Sequence, residues 1–473
     1  MALQPIPLAG ESYQLAATPG AQHRLLNLYA EALPDAGRAK FYLQSTPGLT
    51  QRATTGSGPV LSAAAISGTY FAISGTNAYT LFDNGTTIAT NTGSVGAVPS
   101  DYYHTSIAIG LTAPVFVVPP RAYVGNFSLM PIQQITTAGG NWPASGVSCV
   151  CYLDGYYIFT SFNGESFFTS NLLSPTNFSG LSFVKSSSEV DFFEHCRAFN
   201  RELWLFGPNA ISIWYNTGDP INPFSPRSGA LIRPGCGAYR TIAELDRSLF
   251  FLGVDGVVYR TQGYAAKRIS THAIEENIAG YEGGYLRTIS ACAFTYEGHG
   301  FYALQLPAVG RTFVYDCSTD LWHERSSSAT GSTAWQINTA TQLGARWIFG
   351  DSVNGTLWQP SRSTQTEKGI AVQRMAQLPA LVTHGPRAFM SRLEVEMQTG
   401  ISGQANPLLL SWSDDGGYTY KSPRQLDTGN TGQVRKRIYA TRLGSFRQRI
   451  IRLAGSGPMT IFGVDADVGA GDS

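Results

Sequence analysis

An all-β chain built around a β-propeller is what this sequence predicts, and three observations carry the prediction. An apolar, aromatic-rich phrase, broken by Gly, Pro or Asn, recurs seven times along the chain. The copies follow one another at intervals of about 46 residues. The composition of the 473 residues is 43% apolar and 12% aromatic but only 14% charged, with 51 glycines, which favours sheets over helices.

The clearest copies are residues 201–215, broken at Gly207-Pro208-Asn209, and residues 247–260, broken at Gly253-Val254-Asp255-Gly256. Two apolar runs around such a break read as a β-hairpin. First runs begin at Tyr70, Val115, Tyr156, Leu203, Leu249, Phe301 and Trp347, giving intervals of 45, 41, 47, 46, 52 and 46. Upstream of each lies a further strand-like run, such as Ser148–Tyr152 or Thr288–Phe294. A 40–50-residue unit with up to four strands cannot bury both faces of its own sheet, whereas a ring of such units can. About seven blades are expected, with six or eight open, because the N-terminal arm can complete a blade or a terminal copy can lie outside the ring.

In chain order, residues 1–60 read as a proline-punctuated extended arm that closes onto a sheet. Within it Pro47-Gly48 fits the centre of a type II turn. Residues 61–360 form the propeller, whose first two copies are the weakest, since Val115–Val118 runs into Pro119-Pro120. A short surface helix is expected at Ala273–Ile278. Residues 361–473 open on a polar linker, Ser361–Gly369, and continue as alternating strands at 392–397, 408–413, 433–438, 447–453 and 459–462. Charged residues outward on such strands predict a C-terminal β-sandwich-like domain.

Chemistry-bearing patterns are sparse. The six cysteines show no CxxC spacing, and Cys149 and Cys151 read as reduced core residues. The seven histidines form no HxH or HExxH spacing, and phosphate-loop and nucleophile-elbow motifs are absent. No metal, cofactor or catalytic set is therefore expected. No apolar run approaches the ~20 residues that span a bilayer, and the opening residues do not read as a secretory signal.

Two local features remain. Ser413, Asp415, Gly417 and Thr419 match the Asp box of sialidases and other carbohydrate-acting propellers, a structural turn in which the aspartate accepts backbone N–H groups. It leaves open an alternative, a carbohydrate-binding or sialidase-like propeller. Glycoside hydrolysis usually needs two placed carboxylates, and Asp191, Glu194, Asp246 and Asp255 show no spacing that singles out a pair. Second, residues 421–452 carry nine basic side chains against one acid, Asp427, in a chain of net charge +1. Arg435, Lys436, Arg437, Arg442, Arg447, Arg449 and Arg452 form a candidate docking face for an acidic partner or nucleic acid, the alternative being solvated strand faces.

The phrases Asn27-Leu28-Tyr29 and Tyr42-Leu43 through Pro47-Gly48-Leu49-Thr50 to Arg52 resemble the opening of the packaged-DNA stabilisation proteins of short-tailed phages. Leu410-Ser411, Asp415-Gly416, Arg435-Lys436-Arg437 and Arg442-Leu443-Gly444 with Arg447 resemble their C-terminal pattern. These are also called tail nozzle or tail hub proteins. The resemblance implies a virion structural protein, not an enzyme, assembled in the host cytoplasm as a hexameric ring below the portal and its adaptor. It would extend and seal the DNA exit channel without sequence-specific contact and anchor tailspikes or fibres and a needle or plug.

Overall fold

The computed structural model describes residues 3–8, 13–14, 22–33, 40–98, 104–128, 131–136, 141–162, 164–185, 192–281, 283–383, 386–400 and 407–470. Seven four-stranded sheets circle a common axis. Six are formed by consecutive strands, at 60–94, 106–134, 147–185, 195–232, 236–268 and 290–325. The seventh takes three strands from 337–361 and its fourth, Gly48–Thr54, from the N-terminal arm. That strand pairs antiparallel with Thr356–Ser361, from Thr54 opposite Thr356 to Gly48 opposite Ser361. The ring is thus closed by hydrogen bonds between the two ends of the propeller.

Each repeated apolar run is the second strand of a blade. Thr69–Ser74, Pro114–Val118, Glu202–Phe206 and Ser248–Gly253 are buried along their whole length. Such a strand has a sheet partner on both sides and another blade against each face, so its pattern is a continuous apolar run instead of an alternation. Adjacent blades meet through large side chains: Phe167 of the third blade packs edge-on against Trp214 of the fourth, ring centroids 5.0 Å apart. Burying a side chain of this size contributes about 1.5–3 kcal/mol. Outermost strands are polar and partly exposed, as in Thr90–Ser94 and Ala265–Arg268.

A β-sandwich packs beside the ring. Its first sheet has the order Leu28–Ala32, Phe41–Ser45, Thr460–Ala470, Ala388–Met397, Ile438–Phe446. The second runs Gln22–Leu26, Arg374–Gln377, Gln448–Gly455, Leu408–Ser413, Arg424–Leu426. Leu28, Leu43, Leu393, Trp412, Leu453 and Ile461 fill the space between. The second sheet continues into the propeller, because Gln22–Leu26 also bridges in parallel to Leu321–Arg325 of the sixth blade, Leu26 opposite Glu324. Strands of the N-terminal arm therefore enter both sandwich sheets, complete the seventh blade and border the sixth.

The helix occupies His272–Ala279. Two local expectations are corrected. Gly48 is not the third residue of a type II turn: its φ is not positive, and it begins the closing strand. A Cβ there would lie 2.3 Å from the Thr364 carbonyl oxygen, so close approach explains the glycine. Residues 433–437 form no strand and lead into the strand Ile438–Phe446, so strand alternation does not apply to Arg435 and Arg437. Within the polar linker Ser361–Gly369, Glu367 is 1% exposed.

Closure is also tight at Gly355, whose carbonyl accepts from the Thr55 N–H at 2.7 Å. A Cβ there would sit 1.9 Å from the Gly56 carbonyl oxygen, so Gly355→Ala forces the closing strand outward. The expected loss is about 1–3 kcal/mol, read as a lowered thermal midpoint with unchanged far-UV circular dichroism. An unaltered midpoint would mean that closure at this point bears no strain.

Candidate assembly surface

The propeller and the sandwich are joined by polar groups buried between them. Asn27, fully buried and at φ 53°, stands where the arm leaves one sandwich sheet for the other. Its side-chain amide donates to the carbonyls of Ser326 (3.0 Å) and Gln373 (2.7 Å) and accepts from the Ser326 N–H (3.0 Å). Its backbone N–H donates to Glu324 O, and its carbonyl accepts from the Thr46 N–H. One side chain thereby satisfies three backbone groups from the sixth blade and the 362–373 crossing. Asparagine suits the position because it tolerates the left-handed region.

Beside it, the Glu324 carboxylate, 1% exposed, receives two guanidinium forks. Arg24 approaches at 3.0 and 2.8 Å and Arg311 at 3.2 and 2.6 Å. Burial alone would raise the carboxyl pKa, but the two arginines outweigh it and hold it below the usual range. His299 bridges Asp316 (Nδ1, 2.7 Å) and Glu31 (Nε2, 2.6 Å). Burial opposes its charge, yet the two carboxylates raise its pKa to about 9. Glu367 accepts from Ser327 Oγ (2.6 Å) and Trp335 Nε1 (3.2 Å). Burial pushes this carboxyl up, against the pull of Arg325.

On the sandwich, Asp415 is engaged by its own turn. Ser413 Oγ donates to it at 2.6 Å, the Thr419 N–H donates at 3.0 Å and the Thr419 hydroxyl donates as well. These bonds hold the carboxyl below its ordinary range. The Gly417 N–H donates to Ser413 Oγ at 2.9 Å, and Gly416 and Gly417 take φ of 81° and 97°. Neighbouring Asp414, which the sequence did not single out, receives a fork from Arg449 at 2.7 and 3.0 Å.

The basic residues divide by role. Arg449 is 1% exposed and lies over Phe446 (4.5 Å). Arg452 lies 3.4 Å over the Tyr420 ring and donates to Gln377. Arg437 forks onto Glu394, and Lys436 pairs with Asp427. Arg435, Arg442 and Arg447 are exposed and form no ion pair among the described residues. They follow the strand Ile438–Phe446: one before it, one within it and one just after it. Among the described residues this strand pairs on one side only, with Ala388–Met397. Unpaired charge on an edge strand blocks indiscriminate strand pairing while leaving the edge open to a charge-matched partner.

The three candidate carboxylates among the described residues are each engaged elsewhere. Glu194 pairs with Arg287 at 3.1 Å and Asp246 with Arg260 at 2.5 Å. Asp255 accepts from the Val257 N–H and the Tyr259 hydroxyl in its turn. Asp191 lies outside the described residues. Five of the six free cysteines are buried. No group of three or more metal-ligating side chains occurs among the described residues, and no helix there is long and apolar enough to cross a membrane.

Residues 5–364 match a family model described as "Bacteriophage P22 Gp10, beta-propeller", and residues 373–469 match one described as "Bacteriophage P22 Gp10, beta-sandwich". No curated protein matches the chain. Solved structures are alike at low similarity. PorZ of Porphyromonas gingivalis is 8% identical at a TM-score of 0.40 over 73% of this chain, which spans only 44% of PorZ. The extracellular domain of BT4673 from B. thetaiotaomicron is 10% identical at 0.42, covering 92% of this chain and 62% of its own. The N-terminal domain of Nup159 is 9% identical at 0.39, covering 71% and 97%.

Two outcomes follow from the buried junction. Asn27→Ala strands the Ser326 N–H and two carbonyls, for an expected loss of about 2–4 kcal/mol, seen in denaturant unfolding together with faster proteolytic cleavage within 362–373. His299 gains its charge on folding, so its contribution is complete below the ordinary histidine value of 6.5 and is lost as pH rises through about 9. Melting curves from pH 7 to 10 should fall for the native chain and flatten for His299→Gln.

Proposed function

The chain belongs to the bacteriophage P22 Gp10 family, and on that premise we propose that it is a tail nozzle subunit that extends and seals the DNA exit channel below the portal and adaptor. Membership makes it a phage structural protein and a component of the virion. The observation that carries the finer reading is the order of the two matches, propeller then sandwich, over nearly all of the chain.

The proposed mechanism is assembly without covalent chemistry. Six copies would meet side to side through heterologous contacts that close into a ring. A subunit in such a ring must keep a fixed angle between its parts, and the buried junction at Asn27 and Glu324 supplies that stiffness. The exposed Arg435, Arg442 and Arg447 are assigned to an acidic protein partner in the tail, either a neighbouring subunit, the adaptor, or a spike, fibre or needle protein. With a formal net charge of +1 over 473 residues, such a ring would pass DNA without a strong non-specific hold on its phosphates. The Asp box needs no sugar chemistry to explain it, since Asp415 is occupied by its turn.

Native mass spectrometry and negative-stain microscopy of the purified chain mixed with the adaptor ring of its phage test the reading. Rings carrying six copies on the adaptor are expected, and a chain that neither joins the adaptor nor occurs in virions would overturn it. The triple variant Arg435→Glu, Arg442→Glu, Arg447→Glu should fold with a midpoint close to the native one, because exposed unpaired charges contribute little to stability. Its incorporation into particles, by quantitative blotting, should fall at least tenfold.

A further inference from the structure

The innermost strands of the blades line an axial channel of about 780 Å³. The beginnings of several of these strands come together at one end. Ser62 and Thr105 are linked through their hydroxyls (2.9 Å), and the rings of His104, His195 and Tyr239 stand about 6 Å from one another. Arg240 reaches across to the Asn338 Oδ1 at 2.5 Å, while the Asn338 amide nitrogen donates to the Val60 carbonyl at 2.7 Å.

Arg240 is placed there by an irregularity that the fifth blade does not share with the others. Between Ala238, opposite Leu252, and Ala243, opposite Phe250, four residues of the inner strand face one of its neighbour. A bulge of this size re-aims side chains and is typical of binding sites. It is pinned in place: Thr241 Oγ1 donates to the Ala238 carbonyl (2.5 Å) and accepts from the Leu252 N–H (2.9 Å), and the Tyr302 hydroxyl donates to the Thr241 carbonyl (2.9 Å).

Apart from the exposed Arg247, the other charged groups on and beside the channel wall are paired. Arg197 stands 4.0 Å from Glu244, Asp246 is held by Arg260, and Glu194 by Arg287. Arg240 has no carboxylate partner among the described residues, and only Asn338 takes one of its N–H groups there. Part of its surface is open to the channel. Burial draws its pKa down to about 10, so it remains charged at neutral pH. His104 is pulled to about 3, chiefly by burial, and adds no charge beside it. A deeply set guanidinium without a counter-charge is costly unless something supplies one, and its planar fork matches an oxyanion.

We propose that this end of the channel binds a small oxyanion, of the phosphate or carboxylate kind, on the free edge of the Arg240 guanidinium, with Asn338 holding that side chain in place and the His104 and His195 rings walling the site. The site stands independently of the assembly role.

Calorimetric titration of the full-length chain with inorganic phosphate, and separately with acetate, tests it and distinguishes the two sources. Saturable binding of one anion per chain is expected, with a raised thermal midpoint in its presence. Arg240→Gln should weaken it at least tenfold, whereas Arg247→Gln, an exposed residue elsewhere on the channel lining, should leave it unchanged. Absence of saturable binding of either anion, or equal binding by Arg240→Gln, would overturn the proposal. Should Arg240→Gln fail to fold, crystals of the native chain grown with tungstate decide: density against Arg240 supports the site, and density elsewhere or none refutes it.

Discussion

The structure depends on a carboxylate that has been taken out of water. Glu324 would be unaffordable as a lone buried charge, and it persists because Arg24 and Arg311 each present a two-pronged fork to it. The three residues come from the N-terminal arm and two strands of the sixth blade, so the arm is fixed to the propeller by electrostatics as well as by the ladder at Leu26. Asn27 then fixes the point at which the chain turns from one sandwich sheet to the other. Buried polar networks of this kind are geometrically demanding, and each partner left unpaired costs more than the bond itself contributes. That is why this junction suits a rigid joint and a greasy one would suit it less.

Rigidity at the joint gives the rest of the molecule its meaning. The propeller is closed by its own N-terminal strand and the sandwich incorporates strands from the same arm, so neither part is complete without residues 22–54. Aromatic side chains pack between adjacent blades, and the outermost strands are polar and partly exposed. Beside the ring stands a sandwich whose edge strand carries Arg442 and is flanked by Arg435 and Arg447, all three exposed and without ion-pair partners among the described residues. A virion component built this way presents a fixed surface to its neighbours, which is what the proposed ring would require.

Much of this architecture is legible in the sequence, for a physical reason. Second strands of blades are buried on both faces, so Leu203–Phe206 and Leu249–Leu252 stand out as uninterrupted apolar runs, and their spacing counts the blades. Outer strands such as Gln133–Gln134 are short, polar and silent. The sequence leaves open that the N-terminal arm can complete a blade, but the strand that does so, Gly48–Thr54, is not legible because its partner lies some 300 residues onward and Pro47-Gly48 imitates a local turn. The basic run misled in part: composition cannot distinguish Arg449, packed on Phe446 and bound to Asp414, from Arg442, which faces solvent. The Asp box was legible as a turn because all its bonds are local, while Arg24, Glu324 and Arg240 draw their roles from contacts no local pattern records.

Electron cryomicroscopy of the intact phage particle tests the central claim most directly. A ring of copies around the DNA exit axis is expected, each fitted by propeller and sandwich moved together as one body, with residues 435–447 against another protein. Particles in which the chain is absent, or in which the two parts must be fitted at different relative angles from copy to copy, would contradict it.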